Sequence, residues 1–419
     1  MRITNTLLVL AACIVYVLLT LLGGRTSING GLGPDGSVYS AMAVNHDLQA
    51  GSAPDKLAPA FPLAAAIAYA VTGNVVLSFV VVNVVAFGVL VWAACWILDL
   101  QAAAVTSAGS LPIGSVGSAP VSSAGSRFSR TITVKLTTIM TLLLLGIPTR
   151  AAAFAPGQPH LLGIAALSLA AAGATWSSGI LTSILQVASV MASPIGIAAP
   201  LYGLWRQWRR ESVARMLATF APALVVWLLV QYWARGGASG LVDLMRLSRV
   251  RADAAFWSES LFILLGLYFL VTSLGGFTIL LMSSPRAMRR AVAMQPEVLA
   301  LGLPVLLFIA TAGLDVPRTT AFLFPFWLVL IGIWARDETR SLLVPLVLAT
   351  ALTVVTQHPW VRLTDTNYFV DWFPYSVYAR RVNVADAGFD ATWRLRMFIA
   401  AGGLAACAAW RRSIRQVES

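Results

Sequence analysis

Long apolar segments separated by short polar turns constrain this chain more than any other feature of its sequence. Each approaches or reaches the length that crosses a bilayer, about 20 residues. They are residues 5–23, 75–98, 132–148, 159–174, 179–193, 194–205, 216–234, 257–282, 294–312, 318–334, 341–356 and 396–410. Hydrophobic residues make up 58% of the chain and charged residues only 11%. The sequence predicts an all-α, polytopic transmembrane helix bundle of about 11–13 spans with no soluble domain.

The distribution of charge predicts the orientation of this bundle. With the N-terminus placed inside, the inside segments hold 16 of the 29 Lys and Arg but only 6 of the 17 acidic residues. Because cytoplasmic loops are enriched in Lys and Arg, both termini are predicted to be cytoplasmic, in the plasma membrane. The net charge of +12 therefore calls for no nucleic-acid partner. No small-residue cleavage site follows the apolar run Leu7–Leu22, which predicts a retained first helix.

Residues 1–419 form one predicted integral membrane domain with three larger outer segments. These outer segments are 24–74, 235–256 and 357–395. Within the first, residues 57–72 are apolar but short and contain Pro59 and Pro62. Counting them as a span would invert every later loop, so they predict a helix lying on the outer surface. Residues 101–131 are rich in Ala, Ser and Gly and predict a flexible cytoplasmic loop.

Two outer turns carry ionisable residues, which at the ends of spans suggest function. In the first, Asp35 and Tyr39 lie at the start of a predicted short helix, with Lys56 further along the same segment. Asp35 is either a helix N-cap or a general base, and the sequence leaves both open. In the second turn, Arg150 precedes His160. Arg150 either snorkels to lipid headgroups or binds an anionic phosphate.

Two later outer turns add further candidates. Asp315 and Arg318 are three residues apart and either pair with each other or place Arg318, oriented by Asp315, on a substrate phosphate. The last outer segment is rich in aromatic and polar residues, among them Trp360 and Asp371. It forms either an interfacial aromatic belt or a surface for a sugar, which presents apolar faces and hydroxyls together.

Sequence motifs of other chemistries are missing from the chain. It contains no G-x-x-x-x-G-K-[ST], H-E-x-x-H, C-x-x-C or G-x-S-x-G motif. Its three cysteines all lie within apolar runs and predict small core residues rather than disulfides or metal ligands. Only three histidines are present, which argues against a haem or di-metal site.

Four short motifs together resemble the GT-C superfamily of polytopic glycosyltransferases, which includes protein O-mannosyltransferases and aminoarabinose transferases. The acidic and aromatic residues of 35–39 follow the first helix, and the proline-containing segment 57–73 resembles the family's jaw helix. Ser193-Pro194 precedes a basic cytoplasmic turn, and residues 315–318 precede a helix that contains Pro325. The likeness extends through most of the chain.

This resemblance implies transfer of a sugar from a polyprenyl-phosphate donor to a lipid-linked or cell-envelope acceptor, with inversion at the anomeric carbon. It implies that Asp35 is the catalytic carboxylate and that Lys56, Arg150 or Arg318 binds the donor phosphate; membrane lipids are further partners. Some members use paired acids to hold a divalent metal. Here Gly36 follows Asp35, which favours a base or acceptor-orienting role, and a divalent metal stays an alternative.

Two other functions compete with this interpretation. One is a flippase or transporter of a lipid-linked substrate, and the other is a polysaccharide polymerase or ligase. A flippase is expected to place polar residues along a central path, whereas here they collect at one face. A polymerase is expected to use arginines in a large late outer loop, a role that 357–395 could fill.

Overall fold

The residues that the structure describes fold mainly into α-helices, and no strand is found among them. The computed structural model describes residues 2–33, 35–49, 56–108, 122–145, 149–175, 179–208, 210–236, 267–311, 316–337, 342–357 and 387–416. The predicted all-helical class is confirmed for these residues.

The first part of the chain builds one long helix and the segments that surround it. Its helices are α1 (Arg2–Leu22), α2 (Gly36–Val44), α3 (Ala60–Thr72), α4 (Val75–Ala108), α5 (Ser122–Leu144), α6 (Ala151–Phe154), α7 (His160–Gly173), α8 (Ile180–Ala192), α9 (Ala198–Gln207) and α10 (Val213–Ala234). Short 3₁₀ helices at Ile28–Gly31 and Pro194–Ile197 connect some of them.

The second part adds helices that pack around the same core. They are α11 (Gly276–Met282), α12 (Pro285–Met294), α13 (Leu299–Thr311), α14 (Val316–Ala321), α15 (Phe324–Asp337), α16 (Leu343–Gln357) and α17 (Ala387–Gln416). A 3₁₀ turn at Pro296–Val298 separates α12 from α13.

Helix α4 lies at the centre of the bundle and contacts α1, α3, α5, α7 and α15. Its side chains Phe87, Leu90 and Val91 are fully buried. Tyr16 of α1 stacks on Phe87 with ring centroids 4.6 Å apart. Burial of large apolar side chains on several sides of one helix is what a helix hydrophobic around its circumference requires.

Within the described part of the chain, three helices are long and apolar enough to cross a membrane, at Thr4–Leu22, Val75–Ala103 and Val213–Ala234. A fourth span results if Pro285–Met294 and Pro296–Ile309, bent by 102°, count as one. Several other apolar helices are only 10–17 residues long. Together these helices indicate a membrane protein, and the larger number of spans stays a prediction.

Three segments differ from their predicted boundaries. Helix covers both ends of the predicted loop 101–131, because α4 continues to Ala108 and α5 begins at Ser122. Alanine is the strongest helix former, which favours continuation of α4 through its Ala-rich end. Helix α12 forms in the arginine-rich stretch between the predicted spans 257–282 and 294–312. Helix α17 starts within the predicted outer segment 357–395.

The first outer segment contains short helices, as expected. Helix α3 packs on α2 and α4 and ends at Gly73, which has a positive φ of 61°. Tyr39, Phe61 and Phe79 form a buried aromatic cluster that joins these three helices. The opposite face of α3 exposes apolar side chains, with Ile67 73% exposed, which suits contact with lipid.

Candidate functional site

The centre of the candidate site is an ion pair between Asp35 and Arg318. Arg318 Nη1 donates to Asp35 Oδ2 at 2.9 Å, across 283 positions of sequence. The Arg318 side chain is 16% exposed and that of Asp35 is 33% exposed. Such a partly buried, charge-assisted hydrogen bond is stronger than an exposed pair because water screens it less.

This ion pair lines a cavity of about 270 Å³ between the first outer segment and later helices. Four residues that the sequence singled out contribute side chains to it: Asp35, Tyr39, His160 and Arg318. The remaining lining residues are Ala58, Pro159, Ala192, Ser193, Pro194, Ile195, Phe308, Thr319 and Phe322. The cavity thus has one carboxylate, one guanidinium and one imidazole within largely apolar walls.

Asp35 occupies the N-cap position of α2, but its side chain does not cap the helix. No cap hydrogen bond reaches its carboxylate, although its backbone carbonyl accepts from Tyr39 N at 3.3 Å. The carboxylate is directed to Arg318 instead. Of the two interpretations that the sequence left open, capping is therefore not what this side chain does.

Close backbone packing holds the loop that carries Asp35. Gly157 N donates to Leu32 O at 2.8 Å, and a Cβ on Gly157 would lie 2.6 Å from Gly36 Cα. Gly33 has a φ of +94°, and its own Cβ would lie 2.6 Å from Ala155 Cβ. Glycine is needed at such contacts because any side chain would force the two segments apart.

The segment that meets this loop is itself tied to α4. Asn83 Nδ2 donates to Pro156 O at 2.9 Å and to Ala152 O at 3.4 Å. Asn83 is only 1% exposed, so these bonds satisfy its buried Nδ2 group. The same segment leads directly into His160, the first residue of α7, which fixes His160 relative to Asp35.

His160 presents a polar atom that no described residue satisfies. Its Nε2 is buried and lacks a hydrogen-bond partner among the described residues. A buried polar atom without a partner is costly, so it marks a position where a substrate group can bind. Neutral imidazole has one donor and one acceptor nitrogen, and either suits a hydroxyl.

The wall opposite the first loop begins where α8 ends. Ser193 is extended and its Oγ accepts from Ile195 N at 3.2 Å, which starts the 3₁₀ turn at Pro194. Trp227 Nε1 donates to Pro194 O at 2.8 Å. The sequence marked the Ser-Pro break at 193–194 as a motif but did not identify it as a site residue. Phe322 follows the predicted turn of Asp315 and Arg318, whereas no pattern in the sequence pointed to Phe308 or Thr319.

Other predicted site residues lie elsewhere. Lys56 donates to Gln49 Oε1 at 2.9 Å, and neither Lys56 nor the half-buried Arg150 lines the cavity. Asp315, Trp360 and Asp371 lie outside the described residues, as does any pairing of Asp315 with Arg318. Among the residues described, no three His, Cys, Asp or Glu side chains group as metal ligands would.

Comparison with known proteins finds no relative from which a function can be transferred. No family model matches this sequence, and no curated protein or solved structure matches it. A functional conclusion for this chain must therefore come from the chemistry of its own residues.

Proposed function

We propose that this protein is a membrane glycosyltransferase. It would transfer a sugar from a polyprenyl-phosphate donor to a lipid-linked or cell-envelope acceptor at the extracytoplasmic face. The observation that carries the proposal is the Asp35–Arg318 pair, which brings a carboxylate and a guanidinium into one cavity. Both groups reach this cavity at one end of a bundle of apolar helices, where a lipid-borne substrate would be met.

The chemistry needs one base and one anion-binding group. The oxygen of the acceptor hydroxyl attacks the anomeric carbon, and the bond from that carbon to the phosphate oxygen breaks. The phosphate leaves with the bonding electrons, and the hydroxyl proton passes to the Asp35 carboxylate. Attack from the side opposite the leaving phosphate inverts the anomeric carbon.

Arg318 suits the donor phosphate for a geometric reason. A guanidinium carries five N–H donors in a planar fork, so it can serve a carboxylate and a phosphate oxygen together. Donors held in a site of low water content stabilise charge that develops on a leaving group. The cavity walls supply the apolar surroundings, with Phe308 and Phe322 among them.

The layout of charge supports an extracytoplasmic position for the cavity. Near the cavity, α4 carries Asn83, and its far part carries Asp99, about 24 Å away at 1.5 Å per residue. Gln295, next to α12, pairs with Gln101 at this far end, and Arg286, Arg289 and Arg290 of α12 are exposed. Such arginines are typical of the cytoplasmic side of a membrane protein. The cavity is at the opposite end of α4 and would therefore be on the extracytoplasmic side.

Substitution of the two charged residues tests the proposal. With radiolabelled polyprenyl-phosphate sugars and envelope lipids as acceptors, Asp35→Asn and Arg318→Gln are each expected to lower transfer at least about 100-fold. Asp47→Asn in the same outer segment and the exposed, Glu211-paired Arg215→Gln serve as controls and should retain transfer. Transfer by Asp35→Asn at the wild-type rate would contradict the assignment of Asp35 as the base.

A charge exchange separates catalysis from a purely structural ion pair. The double variant Asp35→Arg with Arg318→Asp keeps an oppositely charged pair in the cavity but moves the base and the cation. We expect wild-type thermal stability with no transfer. If the exchange restores transfer lost in the single variants, the pair is structural.

Transport of a lipid-linked substrate is a second candidate, favoured by a buried charged network. Lys135 Nζ pairs with Asp99 and donates to Asn5 Oδ1 at 2.8 Å, and Asn5 Nδ2 donates to Asp99 Oδ2 at 2.8 Å. The Lys135 side chain is only 4% exposed. This network joins α1, α4 and α5, and carriers use buried charges of this kind.

A further inference from the structure

A second concave surface lies beside α2, away from the Asp35 cavity. It is a groove of about 740 Å³ between α2, the 3₁₀ turn before it and the corner where α3 meets α4. The residues that line it are Asn29, Gly30, Leu32, Ser37, Ser40, Ala41, Val44, Asn45, Tyr69, Gly73, Asn74, Val75 and Val76. We call this surface the α2 groove. Its volume is within the range of small-molecule sites, about 300–1,000 Å³.

Helix α2 has different residues on the two surfaces. Ser37, Ser40, Ala41 and Val44 face the α2 groove and recur at the spacing of one helical face. Tyr39, together with Asp35 just before the helix, lines the cavity instead. One short helix thus contributes to both surfaces, and α2 lies between a molecule bound in the groove and the proposed reaction centre.

The chemistry of the α2 groove is polar but uncharged. No Lys, Arg, Asp or Glu is among the described residues that line it. Its polar side chains are the amides of Asn29, Asn45 and Asn74 and the hydroxyls of Ser37, Ser40 and Tyr69. Amides and hydroxyls both donate and accept hydrogen bonds, which matches sugar hydroxyls, and a tyrosine ring suits the apolar face of a sugar.

Two of the asparagines that line the groove make hydrogen bonds with the backbone beside it. Asn74 Oδ1 accepts from Leu77 N at 3.0 Å and caps the start of α4, while Gly73 turns with a positive φ of 61°. On the other side, Asn29 Nδ2 donates to Gly33 O at 2.8 Å. A groove formed in this way needs little reordering when a ligand binds, which lowers the cost of binding.

We propose that the α2 groove binds an uncharged saccharide, the glycan portion of the acceptor. This identification of the acceptor rests on the proposed glycosyltransferase function, whereas saccharide binding itself can be measured without transfer. An anionic ligand is disfavoured because the described residues that line the groove include no cation. The cationic Arg318 lies in the other cavity, so donor phosphate and acceptor glycan have separate sites.

Binding of neutral oligosaccharides of two to six hexose or pentose units to the purified full-length protein tests this inference. We expect the double variant Ser37→Ala with Ser40→Ala, and separately Tyr69→Phe, to weaken binding about fivefold to tenfold. Ser40→Leu, which fills the groove, should abolish it. Ser129→Ala, an exposed serine of α5, is the matched control and should bind as wild type.

The same variants distinguish failure of this inference from failure of the proposed function. Asp35→Asn should lose transfer yet still bind the oligosaccharides, and the groove variants should raise KM for the acceptor while kcat is kept. Loss of transfer in Asp35→Asn with unaltered KM in Ser40→Leu would overturn the groove alone. No binding of any neutral oligosaccharide by the wild-type protein, or equal binding by Ser40→Leu, would also overturn it.

Discussion

At the scale of single residues, the partner of Asp35 decides what this carboxylate can do. The sequence suggested a local partner for each charged residue. Asp35 could accept from the first amides of α2, and Arg318 could pair with Asp315. The Asp35 carboxylate does not cap α2 and accepts from Arg318. Asp35 and Arg318 were both predicted as site residues, but their pairing was not, because residues 283 positions apart meet only through packing. That His160 Nε2 is buried without a hydrogen-bond partner among the described residues could not be predicted either, since burial is not a property of a residue type.

Gly157 tests how strongly this site depends on close backbone contact. In Gly157→Ala the new Cβ would lie 2.6 Å from Gly36 Cα and 2.7 Å from Leu32 O, which are backbone atoms that cannot rotate away. We expect a loss of about 1–3 kcal/mol in stability, as for other overpacked sites, and impaired transfer because Asp35 is displaced. Thermal unfolding in detergent and the transfer assay measure both effects.

Gly402 is the matched control for that change. It lies within α17, and a Cβ there would meet nothing within 4 Å. Gly402→Ala is expected to stabilise the protein by about 0.5–1 kcal/mol through helix propensity, with unchanged transfer. Equal stability of Gly157→Ala and Gly402→Ala would show that the first loop does not need its contact with Gly157.

At the scale of helices, α4 connects two polar regions, one beside the candidate site and the other in a charged network. Near its start, Asn83 holds the segment that positions His160 and the Asp35 loop. Near its end, Asp99 belongs to the network with Asn5 and Lys135. The apolar pattern of α4 was evident in the sequence, whereas the roles of its few polar residues depend on which helices surround them.

The Asn5–Asp99–Lys135 network is expected to stabilise the bundle rather than take part in the reaction. Lys135→Met leaves Asp99 without its cation in a buried position, and we expect a loss of about 3–5 kcal/mol in stability. Adding Asp99→Leu removes the unpaired charge and should recover most of that loss. Thermal unfolding of the single and double variants, with the half-buried Lys56→Met as a control outside the network, measures the difference.

The same double variant separates the two candidate functions. A glycosyltransferase whose chemistry lies at Asp35 should keep its transfer activity when Asp99 and Lys135 are replaced by apolar residues. A carrier that uses this charged pair would lose transport in the folded double variant. Loss of transport by a double variant that still folds would therefore favour the carrier.

At the scale of the whole molecule, the candidate site and the exposed arginines of α12 lie at opposite ends of the bundle. The Asp35 cavity and the α2 groove are both built on the first outer segment, at the start of α4. The exposed arginines of α12 are at the other end, beside Gln295. A membrane across the apolar helices would separate the two ends by roughly the 30 Å of a hydrocarbon core.

Cysteine labelling from one side of the membrane tests this division. Ser37→Cys is expected to react with a membrane-impermeant maleimide in intact cells, and Arg289→Cys only after permeabilisation. Both positions are exposed, whereas Cys95 and Cys407 are buried and Cys13 is only half-exposed, so the wild-type protein gives the background. Labelling of both variants from the same side would contradict the topology and the extracytoplasmic site.

The sequence by itself determined the helical class, the membrane setting and the asymmetry of charge, since each follows from composition and from patterns over about 20 residues. It also identified Asp35, Tyr39, His160 and Arg318 as single candidates. Only the tertiary structure brought these four into one cavity and left Lys56 and Arg150 outside its lining. The physical reason is that glycine contacts and helix packing set distances between remote segments, and no local pattern encodes those distances.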